Sequence, residues 1–144
     1  MRMRIVVAGL IAAFVVVSAR SSDIASPETV PAGYRGVSVP LSGDQTAFIK
    51  KGDRVDALVT FEAQMKDKSK EKVTATILQN VVVLDVIRPA KLEEKGVVEL
   101  ILNPNEAQYL ALSLQQGALY LSLRASGDMK MEPMEMASFR KLFR

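Results

Sequence analysis

The sequence predicts a single domain of the α+β class, mainly β, in which an antiparallel-rich sheet carries one short helix after an N-terminal signal segment. Three observations favour this class. Arg54–Phe61 alternates between apolar and polar residues, as a half-buried strand does. Val81–Ile87 is a β-branched run typical of a strand buried on both faces. One well-signalled amphipathic helix follows Asn103.

The first 19 residues have the order of a secretory signal peptide. Met1–Arg4 is short and basic, Ile5–Val17 is an unbroken run of apolar residues and Gly, and Val17–Ala19 resembles a cleavage site. The apolar run is shorter than the roughly 20 residues that span a bilayer. Ser18 and Ala19 would extend the run if the segment stays uncut. We therefore expect residues 1–19 to be a signal peptide or a signal anchor, and both alternatives place the rest of the chain outside the cytoplasm.

Composition divides the remaining chain into three parts. Residues 20–32 are rich in Ser and Pro, without periodicity, and are expected to form a linker. Residues 33–128 carry the strand patterns and form the β-rich domain. Residues 129–144 hold four of the seven methionines. This tail is predicted to be a flexible end. The alternative is a partner-binding segment, because methionine adapts well at binding surfaces.

Six strands are predicted within the domain. They are Arg35–Val39 (stopped by Pro40), Arg54–Phe61, Val73–Leu78, Val81–Ile87, Val97–Leu102 and Leu119–Arg124. The stretches between them include two charged, solvated loops, Glu62–Lys72 and Arg88–Lys95. The segment Leu41–Lys51 has no regular pattern.

The helix is marked at both ends. Asn103 is the candidate N-cap, Pro104 takes the first helical position, and Glu106 falls where a capping box needs it. Gly117 is expected to end the helix, because glycine readily adopts the left-handed conformation. The apolar face comprises Ala107, Leu110, Ala111 and Leu114.

The composition argues against catalysis and against binding nucleic acid. The chain has no His and no Cys, so it lacks the commonest general base, a thiolate nucleophile and zinc thiolate ligands. Asp53 and Asp56 are three residues apart, so they point to opposite faces of a strand and suit a shared metal poorly. The net charge is +3, and the basic Arg2 and Arg4 of the leader supply two of these charges. We predict no catalytic residue, no cofactor and no metal site, and hence no enzyme.

Four blocks of the sequence resemble one protein family. They are Pro31–Pro40, Ala47–Asp56, Ile77–Leu84 and Val97–Asp128. In this order they resemble the CpaB/RcpC family of Flp (Tad) pilus assembly proteins. The most specific element is Gly52-Asp53-Arg54-Val55-Asp56, to which Asn80 of the third block is added as a structural motif residue. Two positions depart from the family: Lys51 stands where Pro is usual, and Ala47 replaces a common Gly. Family members usually carry a SAF domain before this region, and we expect this chain to lack it.

This resemblance implies a function in the cell envelope. It implies a periplasmic structural component of a Flp pilus or a related type II-like secretion apparatus. Its partners would be a secretin or inner-membrane platform proteins, with peptidoglycan as a further candidate and a homo-oligomer left open. If residues 5–19 are retained, they would tether the protein to the inner membrane. In the motif, Gly52 is expected to supply a tight turn and Val55 to pack inward.

A cell-wall carbohydrate-binding module is the alternative function, because sugar sites usually need exposed aromatic residues. Tyr34, Tyr109 and Tyr120 are the tyrosine candidates, and the last two lie in segments expected to be packed. An exported enzyme is the third hypothesis, but no recognisable motif supports it.

Overall fold

One antiparallel sheet forms the framework of the domain, which confirms the predicted fold class. The computed structural model describes residues 28–143, so the predicted signal segment lies outside the described residues. The strands are β1 (Arg35–Ser42), β2 (Arg54–Gln64), β3 (Lys70–Ile87), β4 (Lys95–Leu102), β5 (Gly117–Leu123) and β6 (Ala137–Ser138). The helices are α1 (Gly43–Thr46), α2 (Pro104–Gln116) and α3 (Phe139–Leu142). The strand order is β1-β4-β3-β2-β5, with β6 beside β3. Within residues 28–143, no helix combines the length and apolar character that crossing a membrane requires.

The charged stretch between β2 and β3 is mostly strand, so the loop predicted over Glu62–Lys72 is wrong. The turn occupies only a few residues, and the Met65 N–H donates to the Ser69 carbonyl over 2.8 Å. The strands continue because charged side chains on an exposed hairpin stay in water while the backbone groups pair. Cross-strand attraction adds to this, since Lys70 Nζ lies 3.1 Å from Glu62 Oε1.

The two strands predicted on either side of Asn80 are one continuous strand, β3. Asn80 has φ +59°, in the left-handed region that Asn tolerates better than most residues. The register between β2 and β3 shifts near this point. A bulge of this kind bends a strand without ending it. β3 therefore pairs with β2 as far as Val82 and with β4 from Val82 to Ile87.

Pro40 does not stop β1, contrary to the prediction. It pairs with Val97 of β4, and the strand continues to Ser42. β1 lies at the edge of the sheet, where a residue without an N–H can be accommodated because one side of the strand needs no partner.

Helix α2 connects β4 to β5 and packs on one face of the sheet. Its N-terminus has the capping box: the Glu106 N–H donates to Asn103 Oδ1 over 2.9 Å, and the Asn103 N–H donates to Glu106 Oε2 over 2.8 Å. Pro104 is the first helical residue. Leu110 is fully buried, whereas Ala111 is exposed. The core beneath α2 includes Val39, Val55, Ala57, Leu78, Val83, Val98, Leu100, Leu102 and Leu121.

The reason for glycine at position 117 differs from the predicted one. Gly117 has φ −165° and ψ −169°, which is extended backbone, and β5 begins there directly. A Cβ built at this position would lie 2.0 Å from the Thr60 carbonyl oxygen of β2. Gly117 is therefore required by the close approach of two backbones.

Candidate functional site

The Gly52-Asp53-Arg54-Val55-Asp56 motif begins with a tight turn at the entrance to β2. Gly52 has φ +87°, which glycine adopts at little steric cost. The Asp53 carboxylate accepts a hydrogen bond from the Lys50 N–H over 2.8 Å. Two backbone bonds tie the turn to β3: the Gly52 N–H donates to the Val83 carbonyl, and the Val83 N–H donates to the Asp53 carbonyl. The turn thus holds the start of β2 against the middle of β3.

The next residues of the motif meet the bulge at Asn80. The Asp56 carboxylate accepts a hydrogen bond from the Asn80 N–H over 2.8 Å. The Arg54 guanidinium donates to the Asn80 side-chain oxygen over 3.1 Å. Val55 lies between Arg54 and Asp56 in the strand and is fully buried in the core under α2. The polar motif residues therefore lie on the sheet face opposite α2, where they support the left-handed conformation of Asn80.

Arg124 joins this group from the end of β5. Its side chain is only 6% exposed, and its Nη1 lies 2.7 Å from Asp56 Oδ1. The guanidinium also donates to the Asp128 carbonyl, to the Asp128 carboxylate over 3.2 Å, and to the Lys130 carbonyl. The hydrogen bond with Asp56 raises the pKa of Arg124 above its ordinary value. The Lys130 N–H, and next the Arg124 guanidinium, lower the pKa of Asp128. We call Arg54, Asp56, Asn80, Arg124 and Asp128 the crossing cluster.

The crossing cluster marks the place where the chain passes from one side of the β2–β3 hairpin to the other. β5 pairs with β2, whereas β6 pairs with β3 at Val73 and Thr74. The intervening segment must therefore pass both strands. It is fixed midway by the Gln79 side-chain amide, which exchanges two hydrogen bonds of 2.6 and 3.0 Å with the backbone of Glu132. The tail contacts β3 at Glu132 and again at Ala137–Ser138.

The last described residues are attached to the end of the hairpin by Arg140. Its guanidinium lies 3.1 Å from Asp67 and 3.4 Å from Glu71, and it donates to Ser69 Oγ over 2.9 Å. The Arg140 N–H also donates to Glu71 over 2.8 Å. The Ser69 hydroxyl and N–H, and after them Arg140, lower the pKa of Asp67 to about 2.

Sequence reasoning found only part of this cluster. Arg54, Asp56 and Asn80 were singled out as motif residues, and the structure brings them together. The roles of Arg124 and Asp128 are not predicted by the sequence, although both lie in the fourth resembling block, which ends at the turn signal Gly127-Asp128. The predicted cap residues Asn103, Pro104, Glu106 and Gly117 belong to α2 and do not join the cluster.

The chemistry of the crossing cluster is that of a structural clamp. Each of its charged side chains is hydrogen-bonded to another member or to nearby backbone. Residues 28–143 contain no group of three or more acidic side chains placed to hold a metal ion.

A second feature is a shallow cavity of about 340 Å³ between α1 and β5. It is lined by Asp44, Gln45, Phe48, Ile49 and Tyr120–Leu123. Phe48 is 77% exposed and Tyr120 is 55% exposed. The expected packing of Tyr109 and Tyr120 is wrong, because both lie on faces turned away from the core.

Comparison with known proteins identifies the family. No curated protein and no solved structure matches the chain. The model of the Flp pilus assembly protein RcpC/CpaB family matches residues 27–124, which are 98 of the 144 residues. The match begins just before β1 and ends at Arg124, so it includes the motif, the bulge and the cluster residue that closes β5. The chain therefore belongs to the RcpC/CpaB family of Flp pilus assembly proteins.

Proposed function

We propose that this protein is a non-enzymatic structural component of the Flp pilus machine that acts in the periplasm. The observation that carries the proposal is the family match over residues 27–124, which implies a role in Flp pilus assembly in the cell envelope. The leader-like order of residues 1–19 supports an exported protein.

The geometry of the motif supports an assembly role over a catalytic one. Arg54 and Asp56 are the polar residues of the motif strand, and both are committed to hydrogen bonds with Asn80. Asp56 is further held by Arg124. A general base needs a free lone pair within reach of a substrate proton. These side chains instead hold the bulge at Asn80 and, through Arg124, the start of the tail. Their role is therefore structural.

The partners proposed are a secretin or the inner-membrane platform proteins of the machine. The test is a crosslinked pull-down of the tagged full-length chain from its native envelope, read by mass spectrometry. Recovery of secretin or platform peptides supports the proposal. A chain lacking residues 1–19 is the matched control, because it should stay in the cytoplasm and recover neither. Wild-type piliation after clean deletion of the gene would contradict the assembly role.

Binding of cell-wall carbohydrate is a second candidate function, and one observation favours it. Phe48 and Tyr120 expose aromatic rings beside a cavity that also offers Asp44 and Gln45 as polar groups. Sugars stack on aromatic faces and hydrogen-bond to nearby polar groups. Tyr120→Ala should then reduce retention on purified peptidoglycan, whereas Tyr109→Ala, which removes another exposed ring from α2, should not. Equal retention of both variants and the wild type would remove this candidate.

A further inference from the structure

The end of the β2–β3 hairpin carries an uncovered apolar surface on α3. Phe139, Leu142 and Phe143 are 57%, 69% and 82% exposed. Phe139 is separated by three and four residues from the other two, so they share one side of a helical turn. Arg140 contacts Asp67 and Glu71 of the hairpin. The hairpin thus holds α3 in place while its aromatic residues remain in water.

Three exposed lysines of the hairpin are sequence neighbours of the residues that Arg140 contacts. Lys66 and Lys68 flank Asp67, the residue that Arg140 contacts, and Lys72 lies next to the strand position that pairs with β6. All three are exposed, and none takes part in an ion pair within the described part of the chain. The acidic neighbours Asp67 and Glu71 are occupied by Arg140. We call residues 66–72 together with α3 the arm tip.

The arm tip projects from the body of the domain. β5 pairs with β2 only as far as Phe61, and β4 pairs with β3 only from Val82 onward. Phe61 is opposite Val73 of β3, so the hairpin extends past β5 by three residues of each strand, or about 10 Å at a rise of about 3.3 Å per residue. The tip is therefore a convex end that carries both the aromatic side chains of α3 and the lysines of the hairpin.

We propose that the arm tip docks on the surface of an anionic lipid bilayer. Exposed aromatic and aliphatic side chains insert at the boundary between headgroups and acyl chains, and the lysines of the hairpin meet the negative surface potential. The proposal rests on the proposed envelope location. A projecting tip suits a flat lipid surface, whereas an acidic peptide would bind more tightly in a groove.

The test uses the full-length chain reconstituted in vesicles and takes advantage of the absence of cysteine. An environment-sensitive fluorophore is attached at Phe143→Cys on the arm tip or at Leu112→Cys on α2, where the side chain is 62% exposed. The vesicles contain either phosphatidylcholine alone or phosphatidylcholine and phosphatidylglycerol in equal parts. The N-terminal apolar segment is the same in every sample, so the label reports the local position of the tip.

The label at position 143 should shift to the blue and be quenched by spin-labelled acyl chains in the anionic vesicles only. The label at position 112 should change little in either. Combining Phe143→Cys with Lys66→Gln, Lys68→Gln and Lys72→Gln should lower the docked-to-undocked ratio about fivefold per lysine. The charge-matched control replaces three lysines away from the tip, Lys51→Gln, Lys91→Gln and Lys95→Gln, and should keep the response. Unchanged circular dichroism spectra verify that the variants fold.

Three results would overturn the proposal. They are no response at position 143 in anionic vesicles, an equal response at position 112, or a response to polyglutamate without one to vesicles, which would indicate an acidic protein partner. These readouts use only purified protein and lipid. Failure of the pull-down would therefore reject the proposed function independently of the vesicle result.

Discussion

Arg124 Nη1 and Asp56 Oδ1 lie 2.7 Å apart, although 68 residues separate them in the chain. This contact joins the end of β5 to the first part of β2 and fixes the point from which the tail crosses the sheet. Both side chains are shielded from water, being 6% and 20% exposed. Such a pair is costly to break, because the remaining partner stays largely buried and loses a close charge partner.

Asp56→Ala is expected to destabilise the domain by about 2–3 kcal/mol. The substitution removes the acceptor of the Asn80 N–H and of Arg124 Nη1. Urea denaturation followed by circular dichroism measures the change. Lys70→Ala is the control, because it removes an exposed ion pair with Glu62 and should cost less than about 1 kcal/mol. Equal losses of unfolding free energy in the two variants would show that the Asp56 contacts stabilise the domain no more than an exposed ion pair does.

Gly117→Ala is expected to destabilise the domain by about 2–3 kcal/mol, since the added methyl group collides with the Thr60 carbonyl oxygen. The matched control is Gly36→Ala in β1. Its Cβ would meet only Val30 Cγ2, the end of a side chain that has room to move. The midpoint of thermal unfolding should fall in Gly117→Ala and stay nearly unchanged in Gly36→Ala. A stable Gly117→Ala variant would contradict the close backbone approach.

Leu110→Ala is expected to lower the free energy of unfolding by about 3 kcal/mol. The side chain is fully buried between α2 and the sheet, so its truncation leaves a cavity. Leu112→Ala on the same helix should stay within about 0.5 kcal/mol, because that side chain is mostly in water. Urea denaturation measures the free energy of unfolding of both variants. Similar losses would mean that α2 presents a different face to the core.

The pKa of Asp67 makes the attachment of the arm tip sensitive to acid. The folded-state pKa is about 2, below the ordinary aspartate pKa of 3.8. A carboxyl group whose pKa is lowered by folding stabilises the folded state at pH values above its unfolded-state pKa. This stabilisation is lost as the pH falls from 3.8 toward about 2. NMR titration of the Asp67 carboxyl carbon should show this low midpoint.

Two variants separate the causes of this shift. Ser69→Ala should raise the Asp67 pKa more than Arg140→Gln does, because the Ser69 side-chain hydrogen bond is its largest cause. A larger effect of Arg140→Gln would instead indicate that the ion pair dominates.

The amino-acid sequence determined the features that depend on neighbouring residues. The alternation in Arg54–Phe61 predicted which side chains of β2 face the core, and Val55 and Ala57 are fully buried as expected. The start of α2 followed from Asn103 and Glu106, because a capping box is a contact between residues three positions apart. The blocks resembling one family were also sufficient to predict a pilus assembly protein.

Only the tertiary structure decided the features that depend on distant residues. Pro40 is tolerated because β1 lies at an edge, and Asn80 bends β3 without ending it because Asp56 and Arg54 hold the bulge. The path of the tail depends on which strand has a free edge, and that edge exists only once the sheet order is set. Local sequence patterns contain no information on that order, since strand pairing is selected by the packing of the whole chain.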